Sequence, residues 1–142
     1  MNATSAAVAG ALTFLWLGMV LAISFLEAPL KFRAPGVTIP IGLGIGRMVF
    51  RALNRVEIAL TAALVLTIAL GDPPPAVIAL LAAVALLLTV QLVAVRRPLN
   101  RRSDRVLAGE DLPRSRGHVY YVAFEIAKVA ALVALGITLA TA

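Results

Sequence analysis

The chain has 142 residues, a one-domain length, of which 61% are apolar, and it carries a formal charge of +6 with no cysteine. So large an apolar share, with a strongly positive mean hydropathy, lies outside the range of a water-soluble domain. The missing cysteines exclude disulfides, thiolate metal sites and a cysteine nucleophile.

Residues 6–30 form the first expected span, a nearly uncharged stretch long enough to cross about 30 Å of hydrocarbon at helical rise. Its flanking charges, Lys31 and Arg33, follow it rather than precede it, so it reads as a retained helix and not a secretory signal. Pro35, Gly36 and Pro40 interrupt the chain, and Gly42, Gly44 and Gly46 lead into a second span over residues 44–70. Close helix packing accounts for these glycines better than a phosphate loop, because neither a P-loop Lys-Ser/Thr nor a preceding strand accompanies them. Gly71-Asp72-Pro73-Pro74-Pro75 stops one helix and starts the next, and the third span covers residues 75–95. Residues 96–116 hold seven arginines with little apolar content and read as a solvated basic loop. The fourth span covers residues 117–141. The predicted fold is an all-α, integral membrane four-helix bundle built as a single domain.

All thirteen Lys and Arg residues fall at one end of these spans, in the first link, in the 96–116 segment or in the helix portions beside them. Cytoplasmic loops carry such an excess, so both termini are expected outside, in a bacterial-type plasma membrane. The positive charge then needs no nucleic-acid partner. The expected partners are the bilayer itself and anionic lipid headgroups met by the arginines. The same bias predicts that any homo-oligomer is parallel, with Gly10, Gly18 and Ala22 as candidate contacts.

An ionisable side chain at a helix centre costs about 2.5–3.5 kcal/mol on insertion scales, so each one inside a span needs a reason. At helical rise Glu27, Glu57, Gln91 and Glu125, one per helix, lie within roughly 6–12 Å of the cytoplasmic boundary, with Lys128 one turn deeper. His118, Tyr121, Glu125 and Lys128 share one face of the fourth helix, and Asn54 shares a face with Glu57. The expected ligand-binding set is therefore Glu27, Asn54, Glu57, Gln91, Tyr121, Glu125 and Lys128. The competing expectation is simple neutralisation, pairing Glu27 with Lys31, Glu57 with Arg51 or Arg55, and Glu125 with Lys128. Trp16, at mid-span, is assigned to packing. With one histidine there is no basis for a metal site or bis-histidine haem, no cofactor is expected, and no serine has a base within evident reach.

Leu15-Trp16-Leu17-Gly18, Glu27-Ala28-Pro29-Leu30-Lys31-Phe32 and Gly46-Arg47-Met48-Val49-Phe50 resemble a family of uncharacterised bacterial four-helix membrane proteins. That family is similar in layout to copper-resistance (CopD-like) membrane domains, and the resemblance implies fold rather than chemistry. This chain lacks the histidines and methionine clusters of metal-handling relatives. The expected function is binding or transport of a small molecule or ion at a cytoplasm-facing carboxylate cluster. The alternatives are a structural or accessory membrane subunit, or a membrane enzyme acting on a lipid, quinone or porphyrin.

Overall fold

A computed structural model describes residues 1–109 and 117–141. Among these residues, four helices are long and apolar enough to cross a membrane: α1 (Ala3–Lys31), α2 (Ile39–Leu70), α3 (Pro75–Leu107) and α4 (Gly117–Ala140). α1 packs on both α2 and α4, and α3 packs chiefly on α4. Their ends are set by local chemistry. The Asn2 side chain accepts from the Ser5 amide at 2.7 Å and caps α1, and Thr38 does the same for α2 through the Ile41 amide at 3.3 Å. Gly71 ends α2 where a Cβ would press into Ser5, and Asp72 takes a left-handed φ of 52° to reverse the chain before the three prolines. A Cβ at Gly42 would likewise collide with the Phe32 ring, so close packing does account for that glycine.

The buried positions follow a 3–4 spacing on every helix: Ala9, Thr13, Trp16, Val20 on α1; Leu53, Glu57, Leu60, Leu64 on α2; Val77, Leu81, Val84, Leu88, Gln91, Val95 on α3; Tyr121, Glu125, Lys128, Leu132, Leu135, Leu139 on α4. This is the seam of an antiparallel bundle packed by knobs into holes. Its outer surface is the reverse of a soluble protein's. Leu66, Leu70, Leu86 and Ile137 are more than half exposed, whereas Glu57 and Lys128 are fully buried. A surface of large apolar side chains, with the buried charges confined to a few interior positions, suits a hydrocarbon solvent.

Two expectations need correction. α3 does not end at residue 95: the backbone remains helical through Leu107, because Arg97–Leu107 contains no residue after Pro98 that breaks a helix, and arginines are good helix formers. Only the stretch beyond Gly109 lies outside the described residues, with the rest of the expected loop. Secondly, α1 and α3 are not regular throughout. Leu21–Glu27 and Gln91–Arg96 are π-helical, with the Ala28 amide bonded to the Ile23 carbonyl five residues back. Each widened stretch ends two residues before a proline, Pro29 or Pro98. A proline ring lacks the N–H and collides with the carbonyl four residues earlier, and a wider preceding turn relieves both.

Candidate functional site

A buried polar network, in which Glu57 Oε1 is left without a hydrogen-bond partner, occupies the seam toward the basic end. Lys128 is its centre: the ammonium lies 2.5 Å from Glu57 Oε2, 2.5 Å from Glu125 Oε1 and 2.8 Å from Gln91 Oε1, which uses all three of its donors. The Gln91 amide donates to Glu125 Oε1 at 2.7 Å and reaches the Tyr121 carbonyl at 3.4 Å. Trp16 Nε1 donates to Glu57 Oε2 at 2.8 Å, and the Ser24 hydroxyl donates to Glu125 Oε2 at 2.5 Å. Every helix contributes, and each contributor except Ser24 continues the regular 3–4 spacing of its helix, which is why side chains far apart in sequence converge. The threonines need no partner from this network, since Thr13 and Thr61 hydroxyls bond back to the Ala9 and Glu57 carbonyls.

The structure thus brings together Glu57, Gln91, Glu125 and Lys128, and leaves out Glu27. Glu27 is about a third exposed and stands 3.7 Å from Lys31. The π-helical stretch explains the exclusion. An unbroken 3–4 seam in α1 would continue from Val20 to Ile23 and Glu27. With one extra residue in the turn it is instead Ser24 and Ala28 that line the cavity beside Glu125. Glu57 pairs with Lys128, not with Arg51 or Arg55, because those arginines project from the side of α2 that faces the basic half of α3. Asn54 is buried, and its amide oxygen has no hydrogen-bond partner; it lines a cavity with the arginines and not the network. The His118 side chain lies outside the described set.

A cavity of about 80 Å³ abuts the network, lined by Ser24, Phe25, Phe50, Arg96, Tyr121 and Glu125 among others. The Arg96 guanidinium covers it, lying 4.6 Å from the Phe50 ring centroid and 4.1 Å from that of Tyr121, while the two rings meet edge to face at 5.7 Å. Tyr121 therefore belongs to the wall of this cavity, joined to the network only through its backbone carbonyl. Two carboxylates, one ammonium and, across the cavity, one guanidinium give a balanced set of charges.

Ser24, Phe50 and Arg96 are residues that sequence reasoning passed over, and Trp16, assigned to packing, is packed in the core but also bonded to the network. Trp16 was findable, since it continues the spacing Ala9, Thr13, and a buried indole N–H requires an acceptor. Pro29 and Pro98 were the signals for Ser24 and Arg96. Among the described residues no group of three or more His, Asp or Glu side chains converges as a metal would require. No family model, curated protein or solved structure matches this chain.

Proposed function

We propose that this chain is a multi-pass protein of a bacterial-type plasma membrane that binds and passes a small, largely apolar molecule carrying a hydrogen-bond donor, with Glu125 as the receiving group. One observation carries the reading: Glu125 is bonded on Oε1 by Lys128 and Gln91, and both Glu125 and Ser24, the partner of its Oε2, line the cavity. Ser24 is a neutral hydroxyl that a ligand's donor can replace. The walls are mostly apolar and aromatic, with few polar groups, the usual character of a small-molecule site. Arg96 at the mouth disfavours a free inorganic cation and favours a neutral molecule. When a ligand's donor occupies Oε2, it weakens the attraction between that oxygen and Arg96 across the cavity, and the guanidinium is freer to swing toward the basic end, opening the path.

Orientation belongs to the same proposal. The thirteen basic residues gathered at one end support a cytoplasmic location for that end and an external one for the termini and Asp72. A cysteine placed at Asp72 should react with an impermeant thiol reagent added outside intact cells; protection there would reverse the topology.

Trp16, the sole tryptophan, is bonded to the network and reports on it. Titrating the detergent-solubilised chain with n-butanol, n-butylamine and butyramide should change Trp16 fluorescence. Glu125→Gln replaces the anionic carboxylate by a neutral amide and should abolish the response. An unaltered response in that variant rejects Glu125 as the receiving group. A second reading, a structural subunit whose charges merely pair, is favoured by the complete burial of Lys128 and its three contacts. Absence of any response in the wild type selects it.

A further inference from the structure

A second cavity, of about 170 Å³, lies between α2 and α3 at the basic end, and the network does not reach it. Arg47, Arg51 and Arg55 recur along α2 at intervals of four residues, and Arg96 and Asn100 face them from α3. Among the described residues the one acidic side chain bonded to these arginines is Asp104, on Arg47. The cavity thus gathers four guanidinium groups, of which Arg47 is bonded to Asp104 and Arg96 also faces Glu125, and the remaining excess of positive charge on Arg51 and Arg55 calls for an anion. Two buried atoms in its wall lack hydrogen-bond partners: Arg96 Nε, a donor, and Asn54 Oδ1, an acceptor. The first suits an anionic oxygen and the second a hydroxyl. Toward the bundle's middle the wall changes to Ile58 and Leu92, and Ile58 is about half exposed on the outer surface. α2 has 32 residues, about 48 Å at helical rise against about 30 Å of hydrocarbon, so its first turns extend to headgroup level.

We infer that this cavity binds a phosphodiester bearing a neighbouring hydroxyl, with the chemistry of a phosphoglycerol headgroup, and that its source is the lipid rather than a soluble phosphate. Guanidinium pairs hold the phosphate through two parallel bonds, and Asn54 accepts from the glycerol hydroxyl. The acyl chains follow the apolar wall past Ile58 and Leu92. The inference does not depend on Glu125 being a ligand site.

The test is binding to the full chain in detergent, read by native mass spectrometry. The probes are short-chain phosphatidylglycerol, phosphatidylmethanol, phosphatidylcholine and soluble glycerol 3-phosphate. Phosphatidylglycerol should bind at least about tenfold more tightly than phosphatidylcholine. Arg51→Gln with Arg55→Gln should weaken it about thirtyfold, at about fivefold for each arginine near a headgroup. Arg33→Gln with Arg101→Gln removes the same charge away from the cavity and should change affinity less than about threefold. Asn54→Ala should abolish the preference for phosphatidylglycerol over phosphatidylmethanol, which lacks the hydroxyl. Equal losses in the two double variants would overturn the site in favour of general surface charge. Competition by glycerol 3-phosphate at the lipid's own concentration would overturn the lipid as the source.

Discussion

The two halves of the bundle seam share one geometry and differ in chemistry. From Leu60 to Ile68, Val77 to Leu88 and Leu132 to Leu139 the inward positions are all apolar, and the helices there are regular. Toward the basic end the same spacing delivers Glu57, Gln91, Glu125 and Lys128, and both π-helical stretches occur there. In lipid the apolar half gains only packing, since the tails outside are as apolar as leucine. The polar half gains Coulomb energy and hydrogen bonds that the bilayer cannot supply, but only while each member keeps its partners. One half is tolerant and the other interdependent.

The largest break in this contrast should come from Lys128→Met. It leaves two carboxylates facing each other without a cation, and should cost about 3–5 kcal/mol in denaturant unfolding from detergent. Removing the charges together, as Glu57→Gln, Glu125→Gln and Lys128→Met, should restore stability to within about 1–2 kcal/mol of the parent. Neutralising only Glu125 and Lys128 should not, because Glu57 shares the same ammonium. If the triple variant proves no more stable than the single one, interdependence is the wrong description of this half.

In the apolar half, Leu64→Ala removes a fully buried side chain. It should cost about 2 kcal/mol, the low end for a leucine cavity because transfer to lipid offers no hydrophobic gain. A loss as large as that of Lys128→Met would erase the distinction between the halves. Smaller again is Ser24→Ala, at about 1–2 kcal/mol for a hydrogen bond to a carboxylate. Its dependence on the π-helical turn is testable by combination: with Pro29→Ala allowing a regular helix, Ser24 should rotate off the seam and the serine substitution should then cost almost nothing. Additive losses in that pair would mean that Pro29 does not place Ser24. The smallest effect is expected for Glu27→Gln, under about 1 kcal/mol, since its partly exposed pair with Lys31 is screened and stands apart from the network.

Much of this architecture was legible from residue order. Four apolar runs and the Gly71 to Pro75 reversal specify four helices long and apolar enough to span a bilayer, which admits few other ways to satisfy a backbone. The common depth of Glu57, Gln91 and Glu125 also follows from counting residues at helical rise. Pairing was another matter. Local spacing offered Lys128 to Glu125 and arginines to Glu57, whereas the folded bundle gives Lys128 to both carboxylates, since Lys128 and Glu57 meet only when α4 and α2 close around one axis.

What the sequence determined by itself was which polar side chains interrupt the apolar helices and how far along each helix they lie, because hydrophobic length and helical rise are properties of each segment alone. What the tertiary structure decided was which of them meet. That depends on rotation about each helix axis, and a single extra residue in the turn before Pro29 is enough to bring Ser24 to Glu125 and leave Glu27 beside Lys31. The same kind of rotation before Pro98 sets Arg96 over the cavity beside Glu125. No count along one segment contains that information, since the inward direction exists only once the neighbouring helices are in place.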